Sequence, residues 1–449
     1  MLARAWSPAR LLLLVGLPFG LLVAFLQPAW LGQDESVHFP RAWQMAGGDL
    51  TEERTDDGLS SRVPIEYLDD LAVVATANAE AIGAGRGPTL DGYGRLLGHR
   101  VTSGDTVLVS TWATDIASPV PYLPAAVAMA PLRAVGAPAI WQLWAGRLGS
   151  LAAYLGLALV ALRIAVRWRW TITGMALFPP LLVQGATVGY DAVTFGALFL
   201  LVGAASRIGR RPDSRVMPVL AGVGLLLALS KPPYHLLLWV LAVGLLATSR
   251  VRLAVACMVP AAIGLFWSAV LAPGFSDPVE TLAGVVVPDP DGQIRRMVWD
   301  PLGFLWDGVG GVLVDLPTGH LPDWIAAPPS TAMTLAAWAG LVGLVVCCLA
   351  TEDGPRSSGE RLMALAGVGL VLAATCAAEF AYFTHPGPAG APSDFGGLTP
   401  EWRYLAPLVG LALLAMPRLP RIPPAAGTTV VAGAAAFSAM VYVSSFSGF

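Results

Sequence analysis

Charged side chains are scarce in this chain. Asp, Glu, Lys and Arg make up 13% of its 449 residues, against about 25% in a soluble globular domain. Cysteine is scarce as well. Cys257, Cys347, Cys348 and Cys376 all fall inside apolar runs. None is spaced with a histidine as a metal ligand, and no disulfide framework emerges; they read as small buried hydrophobes. There is no phosphate loop, dinucleotide fingerprint or Ser-His-Asp signature, so nothing points to soluble nucleotide chemistry or to nucleic acid as a partner.

What the chain has in quantity is apolar length. Hydrophobic residues are 55% of the total and the mean hydropathy is +0.65. Runs of about 20 apolar residues recur, each long enough to cross a bilayer. Lipid leaves no water for unpaired backbone, and nothing reads as barrel strands of about ten alternating residues. The expected fold is therefore an all-α polytopic membrane protein, one integral membrane domain over residues 1–449. Spans are expected near 11–30, 147–166, 170–187, 189–206, 216–229, 233–248, 253–272, 331–350, 362–382, 403–417 and 427–446, about eleven in all. Several are short, so a neighbouring pair can be one broken helix. The first is read as an uncleaved span, because its apolar core exceeds a signal h-region of about 7–15 residues.

Charge sets the orientation. With Arg163 included, six short segments (1–10, 167–169, 207–215, 250–252, 351–361 and 417–423) hold 15 of the 27 basic residues and 4 of the 30 acidic ones. The positive-inside rule makes that side cytoplasmic, with the N-terminus on it. Two long loops then lie outside, over residues 31–118 and 273–330. The first carries 14 acids and 6 bases, and its stretch IEYLDDLAVVATANAEAI reads as a partly buried helix. The second contains PLGFLWDGVGGVLVDL, an amphipathic, aromatic segment suited to the interface. PVPYLPAAVAMAPLRAVGAPAI is apolar but proline-rich, and is expected to associate with the membrane without spanning it.

Candidate chemistry begins where the first span ends, in QDESVHFPRAWQMAGGDL. A helix opening at Asp34 places Asp34, His38 and Arg41 at i, i+4 and i+7, on one face. Asp34 has two readings: an N-cap that satisfies free backbone N–H groups, or a general base at a membrane-adjacent cleft. Glu35 beside it orients Asp34 or joins it in holding a divalent cation, for which oxygen ligands suit magnesium or manganese. Cations sit at or near outer helix ends: Arg133, Arg147, Lys231 and Arg403. Each either snorkels to lipid phosphate or holds an anionic substrate. Lys231 stands out in LLLALSKPPYHLLLWV, where prolines free backbone groups beside it. Arg403 and Tyr404 head a span in EWRYLAPLVG, and Asp191 opens one after QGATVGY. Glu379 lies near the outer end of the ninth span; it and Asp191 each either pair with a cation or belong to the site. Histidines 99, 320 and 385 are isolated.

QDESVHFPRAWQMAGGDL resembles the opening of the bacterial membrane-protein family known as domain of unknown function 2142. SPVPYLPA, the arginine of WAGRLGSLAAYL, the aspartate of GYDAVTFG, the lysine of SKPPY and EWRYLAPL also resemble that family in order and spacing. The family in turn is similar to the GT-C integral membrane glycosyltransferases. The resemblance implies a GT-C-like bundle in the cytoplasmic membrane, with a partly helical first extracytoplasmic loop. It implies a polyprenyl-phosphate sugar as donor and a cell-envelope glycan, lipid or protein as acceptor. Asp34, with Glu35, matches the acidic catalytic position. Lys231 and Arg403 are the candidates for holding the donor phosphate, and His38, Arg41, Arg147, Asp191 and Tyr404 join the substrate-binding set. Two rivals stand beside this reading: a transporter or flippase of lipid-linked saccharides, and a non-catalytic membrane scaffold.

Overall fold

A computed structural model describes residues 7–32, 34–50, 53–55, 58–84, 86, 89–90, 92–100, 104–110, 114, 117–209, 212–267, 290–315, 331–350, 357–382, 395, 402–415 and 424–444. The first helix covers Pro8–Leu26 as α1 (Pro8–Leu11), a π turn (Leu12–Gly16) and α2 (Leu17–Leu26). Then come α3 (Glu35–Ala46), β1 (Glu53–Thr55), β2 (Gly58–Pro64), α4 (Ile65–Gly83), α5 (Tyr93–Leu96), β3 (Thr106–Ser110) and α6 (Leu123–Ala134). The central helices are α7 (Ala139–Ile164), α8 (Arg169–Ala176), α9 (Pro179–Gly185), α10 (Asp191–Ala205), α11 (Asp213–Ala228), α12 (Leu236–Ala247) and α13 (Val251–Phe266). The chain continues with α14 (Pro290–Trp299), α15 (Pro301–Gly303), a π turn (Phe304–Val309), α16 (Gly310–Asp315), α17 (Thr331–Ala350), α18 (Ser358–Tyr382), α19 (Trp402–Ala415) and α20 (Pro424–Ser444).

The structure is that of a mostly helical membrane protein, and it corrects the sequence-based expectation in two respects. Among the described residues three helices are long and apolar enough to cross a membrane: Pro8–Leu26, Ala139–Ile164 and Ser358–Ala381. Among the described residues the count of about eleven is not reached; shorter apolar helices, Asp191–Ala205, Leu236–Ala247, Val251–Phe266, Tyr404–Ala415 and Ala432–Tyr442, stand at other expected spans. The expected span at 170–187 is two short helices, α8 and α9, because Pro179 and Pro180 interrupt it after Phe178 and proline cannot continue the hydrogen-bond ladder. The second correction is a three-stranded antiparallel sheet in order β1-β2-β3, with Ser60 opposite Ser110. An all-helical reading does not include it.

α10 is the core of the bundle. It is apolar on every side and all but its last residue are buried, as expected of a helix enclosed by other helices. It packs along α7 through small residues: a Cβ on Gly203 would lie 2.8 Å from the Ala161 carbonyl oxygen. α6 reaches α7 in the same way at Gly149, where a Cβ would meet the Pro124 carbonyl oxygen. Small residues let helix backbones approach this closely. At about 1.5 Å per residue α6 is about 18 Å long, too short to span.

The first loop builds a second core. Phe39, Trp43, Val63, Tyr67, Leu71, Tyr93 and Leu96 pack with Tyr122, Met129 and Leu143. Gln142 of α7 ties it together. Its Oε1 accepts from Trp43 Nε1 at 2.8 Å, and its Nε2 donates to the Tyr67 hydroxyl and the Ala137 carbonyl, both at 2.7 Å. Arg133 stacks over the Trp43 ring at 3.5 Å and donates to the carbonyls of Trp43 and Gln44 at the end of α3. Of the second loop, 273–330, only residues 290–315 are described, with α14 packed on α18.

The polar contacts divide between two ends of the bundle. At one end Arg167 pairs with Glu360 at 2.5 Å, Arg250 with Asp213 at 3.2 Å, and Ser206 accepts from the Val166 N–H at 3.0 Å. These residues lie in or beside the segments rich in basic residues. The other end, where α10 and α19 begin and α11 finishes, carries the candidate site.

Candidate functional site at the Val188–Asp191 turn

Asp34 sits at the N-cap of α3 with φ 56°, in the left-handed region, and its side chain caps no backbone N–H of the helix. Of the non-glycine residues, Asp and Asn tolerate that region best. The turn leaves Asp34 half-buried and directs Glu35 inward, where it is fully buried.

Glu35 meets Arg147 of α7 in a two-point ion pair, Nε to Oε1 at 2.8 Å and Nη2 to Oε2 at 2.5 Å. The backbone N–H groups of Val188 and Trp30 also donate to its two oxygens, at 3.2 and 3.3 Å. The remaining N–H groups of Arg147 go to the carbonyls of Ala24, Gln27 and Pro28, where α2 ends. Both charges have no solvent exposure. Such a pair is tolerable only with this full complement of hydrogen bonds.

The turn that receives Glu35 through Val188 continues into the rest of the site. Gly189 lies against His38, where a Cβ would come within 3.3 Å of the imidazole Cδ2. The His38 ring stands edge-on to Tyr190, centroids 4.5 Å apart, and its Nδ1 is 2.8 Å from the Tyr122 hydroxyl. Asp191 opens α10 and accepts from Lys231 Nζ at 3.0 Å. Lys231 follows α11, where Pro232 and Pro233 supply no backbone N–H and end the helical run. Its ammonium lies over the ring of Tyr190 at 4.2 Å and that of Tyr404 at 3.8 Å. Desolvated cation–π contacts of this kind contribute about 2 kcal/mol. The Tyr234 hydroxyl donates to the Tyr404 carbonyl at 2.9 Å, and the Ser118 hydroxyl to that of Leu229 at 2.6 Å.

Six separated sequence motifs are thus joined by direct contacts: DESVHF, SPVPY, WAGR, GYD, SKPPY and EWRY. Of the expected site residues, Glu35, His38, Arg147, Asp191, Lys231 and Tyr404 belong to this network. Arg41 is buried on α3, three residues beyond His38. Arg403 lies in α19, but its side chain is outside the described residues. Tyr122, Tyr190, Ser118 and Tyr234 were not singled out from the sequence. Each lies within one of the quoted motifs, and the available signal was an aromatic or hydroxyl neighbour of a buried charge.

Among the described residues no group of three or more His, Cys, Asp or Glu side chains gathers as a metal site. The Asp34–Glu35 pair does not fit a divalent cation. Both Glu35 oxygens already accept from a guanidinium and from backbone N–H groups, and a dication there would face the charge of Arg147.

A helical membrane protein with a buried network of charges and tyrosines at one end of its bundle is the class this structure defines. The chain belongs to the family described as "Predicted membrane protein (DUF2142)", which it matches over residues 17–392. Neither a curated protein nor a solved structure matches the chain.

Proposed function

We propose that the protein is a GT-C-like glycosyltransferase of the bacterial cytoplasmic membrane. It moves a sugar from a polyprenyl-phosphate donor to a cell-envelope glycan, lipid or protein on the extracytoplasmic side. The observation that carries this reading is the meeting of the six motifs at one end of the bundle. That end lies away from the ion pairs of the arginine-rich segments, so the positive-inside rule puts it on the outer face.

In this reading Asp34, half-buried beside a fully closed ion pair, is the general base. The acceptor hydroxyl oxygen attacks the anomeric carbon and its proton passes to the Asp34 carboxylate. The bond from that carbon to the phosphate oxygen breaks, and polyprenyl phosphate leaves with the bonding pair. Lys231 and Arg403 hold the phosphate as its charge grows, where fixed cations in a water-poor site are most effective. Asp191 and the two tyrosine faces hold Lys231 in place until the phosphate arrives. No step passes through a metal.

Flippase action is the rival that the broken α8–α9 pair favours, since interrupted helices also line transport paths. The protein in lipid nanodiscs, given radiolabelled polyprenyl-phosphate sugars and envelope extract, separates the two. Label covalently joined to the acceptor, together with released polyprenyl phosphate, supports transfer. Label that crosses the bilayer of reconstituted vesicles with the donor intact refutes it. Envelope glycans and lipid-linked sugars of a deletion strain, read by mass spectrometry, identify the sugar.

A further inference from the structure

We infer that Arg147 is the positioning residue of the site: through Glu35 it sets where Asp34 stands, and neither member of the pair carries a proton in turnover. This rests on the reading of Asp34 as the base and assigns the neighbouring carboxylate a different task.

Three segments far apart in sequence converge on one guanidinium. Its five N–H bonds reach the end of α2 (Ala24, Gln27 and Pro28 carbonyls) and the start of α3 (both Glu35 oxygens). Glu35 in turn receives the Val188 N–H from the turn that leads to Tyr190 and Asp191. One side chain rooted in α7 thus grips the chain where α2 ends, at Gln27 and Pro28, and where α3 begins, at Glu35, immediately after Asp34. Trp30, between these two points, is left-handed at φ 61° and donates its N–H to Glu35. Two left-handed non-glycine residues in five positions require a surrounding structure that enforces them, and the Arg147–Glu35 pair supplies it. A carboxylate with both oxygens already accepting, next to a permanent cation, has no vacant lone pair directed at a substrate. Lysine at 147 has one charge and three donors, so it cannot reproduce the planar five-donor pattern.

The test reads geometry without turnover. A nitroxide is attached at Asp34→Cys in the full-length protein in nanodiscs, and at Ser249→Cys at the opposite end of the bundle as a control, with the label on the unmodified chain subtracted. Arg147→Lys is expected to shorten the rotational correlation time severalfold at 34 and to leave 249 unchanged. No change at 34 overturns the inference. If both positions loosen, the fold has given way and Glu35→Gln, which keeps the side chain's shape, decides: added mobility at 34 alone supports the inference, and none overturns it. Because this readout needs no substrate, it stands or falls apart from the transferase reading. Where transfer is measurable, Glu35→Gln should lower its rate without moving the pH at which it is half-maximal, and a shifted half-point would make Glu35 a proton carrier and overturn the inference.

Discussion

Lys231 Nζ lies 3.0 Å from Asp191 Oδ1, between the rings of Tyr190 and Tyr404, with both charged side chains almost wholly buried. Removing one partner of such a pair leaves the other charge unpaired, at a cost of about 3–5 kcal/mol. Asp191→Asn should lower the apparent Tm of the purified protein clearly, and Lys231→Met should do the same. The double variant Asp191→Asn/Lys231→Met should recover most of the loss while remaining inactive. Additive losses in the double variant would show that the two side chains are not coupled.

Two glycines of α7 separate close packing from open space. Gly149→Ala drives a methyl group into the Pro124 carbonyl oxygen and should cost about 1–3 kcal/mol by forcing α6 away. Gly156→Ala meets nothing within 4 Å and should be neutral, or stabilising by up to about 1 kcal/mol through helix propensity. Thermal unfolding in detergent ranks the two; the reverse order would contradict the α6–α7 contact described here.

Gln142→Leu removes the acceptor for Trp43 Nε1 and the donor to the Tyr67 hydroxyl. Stranding buried polar groups costs about 1–3 kcal/mol, and here the loss falls on the joint between α3, α4 and α7. Limited trypsin digestion should cut faster at Arg86 and Arg95 in the first loop, with the helical bundle still intact on a gel.

His99 Nδ1 lies 2.8 Å from Asp70 Oδ2, linking the end of α5 to α4. The hydrogen bond to Asp70, and then its charge, raise the His99 pKa above its usual value. The raised value gives the sign: the stabilising contribution is fully present below the unfolded pKa of about 6.5 and is lost as pH rises through the folded pKa. Amide exchange in α4 should therefore quicken on moving from acid to alkaline pH, after correction for intrinsic rates. His99→Gln should remove that dependence, and salt should weaken it because His99 is half-exposed.

Much of this was legible in the sequence. The low charge content and the apolar runs announce a helical membrane protein, and α4 covers the stretch IEYLDDLAVVATANAEAI. The separation of basic from acidic segments matches the two groups of ion pairs. The division of the expected span at 170–187 was not legible, since hydropathy sums over a window and does not register the break that Pro179 makes after Phe178. The sheet was missed because β1 is short, β2 is polar, and only TVLVS has strand composition; pairing across 50 positions (Ser60 with Ser110) leaves no local trace. The charged residues of the network were visible in the sequence and their pairings were not. Glu35 and Asp34 are neighbours in an acidic loop, and only the left-handed turn at Asp34 sends one carboxylate to Arg147 and leaves the other half-buried. The cluster of Tyr122, Tyr190 and His38 forms through contacts spanning up to 152 positions, beyond the reach of motif spacing.

As the proposed base of sugar transfer at this end of the bundle, Asp34 is the residue on which the transferase reading turns. The direct test is the rate of labelled sugar transfer from a polyprenyl-phosphate donor by Asp34→Asn in nanodiscs, with expression and insertion matched to the parent chain. Loss of a general base lowers a rate by about 10²–10⁴-fold, and a fall of that size with donor binding retained is the predicted result. Transfer at the full parental rate would contradict the account.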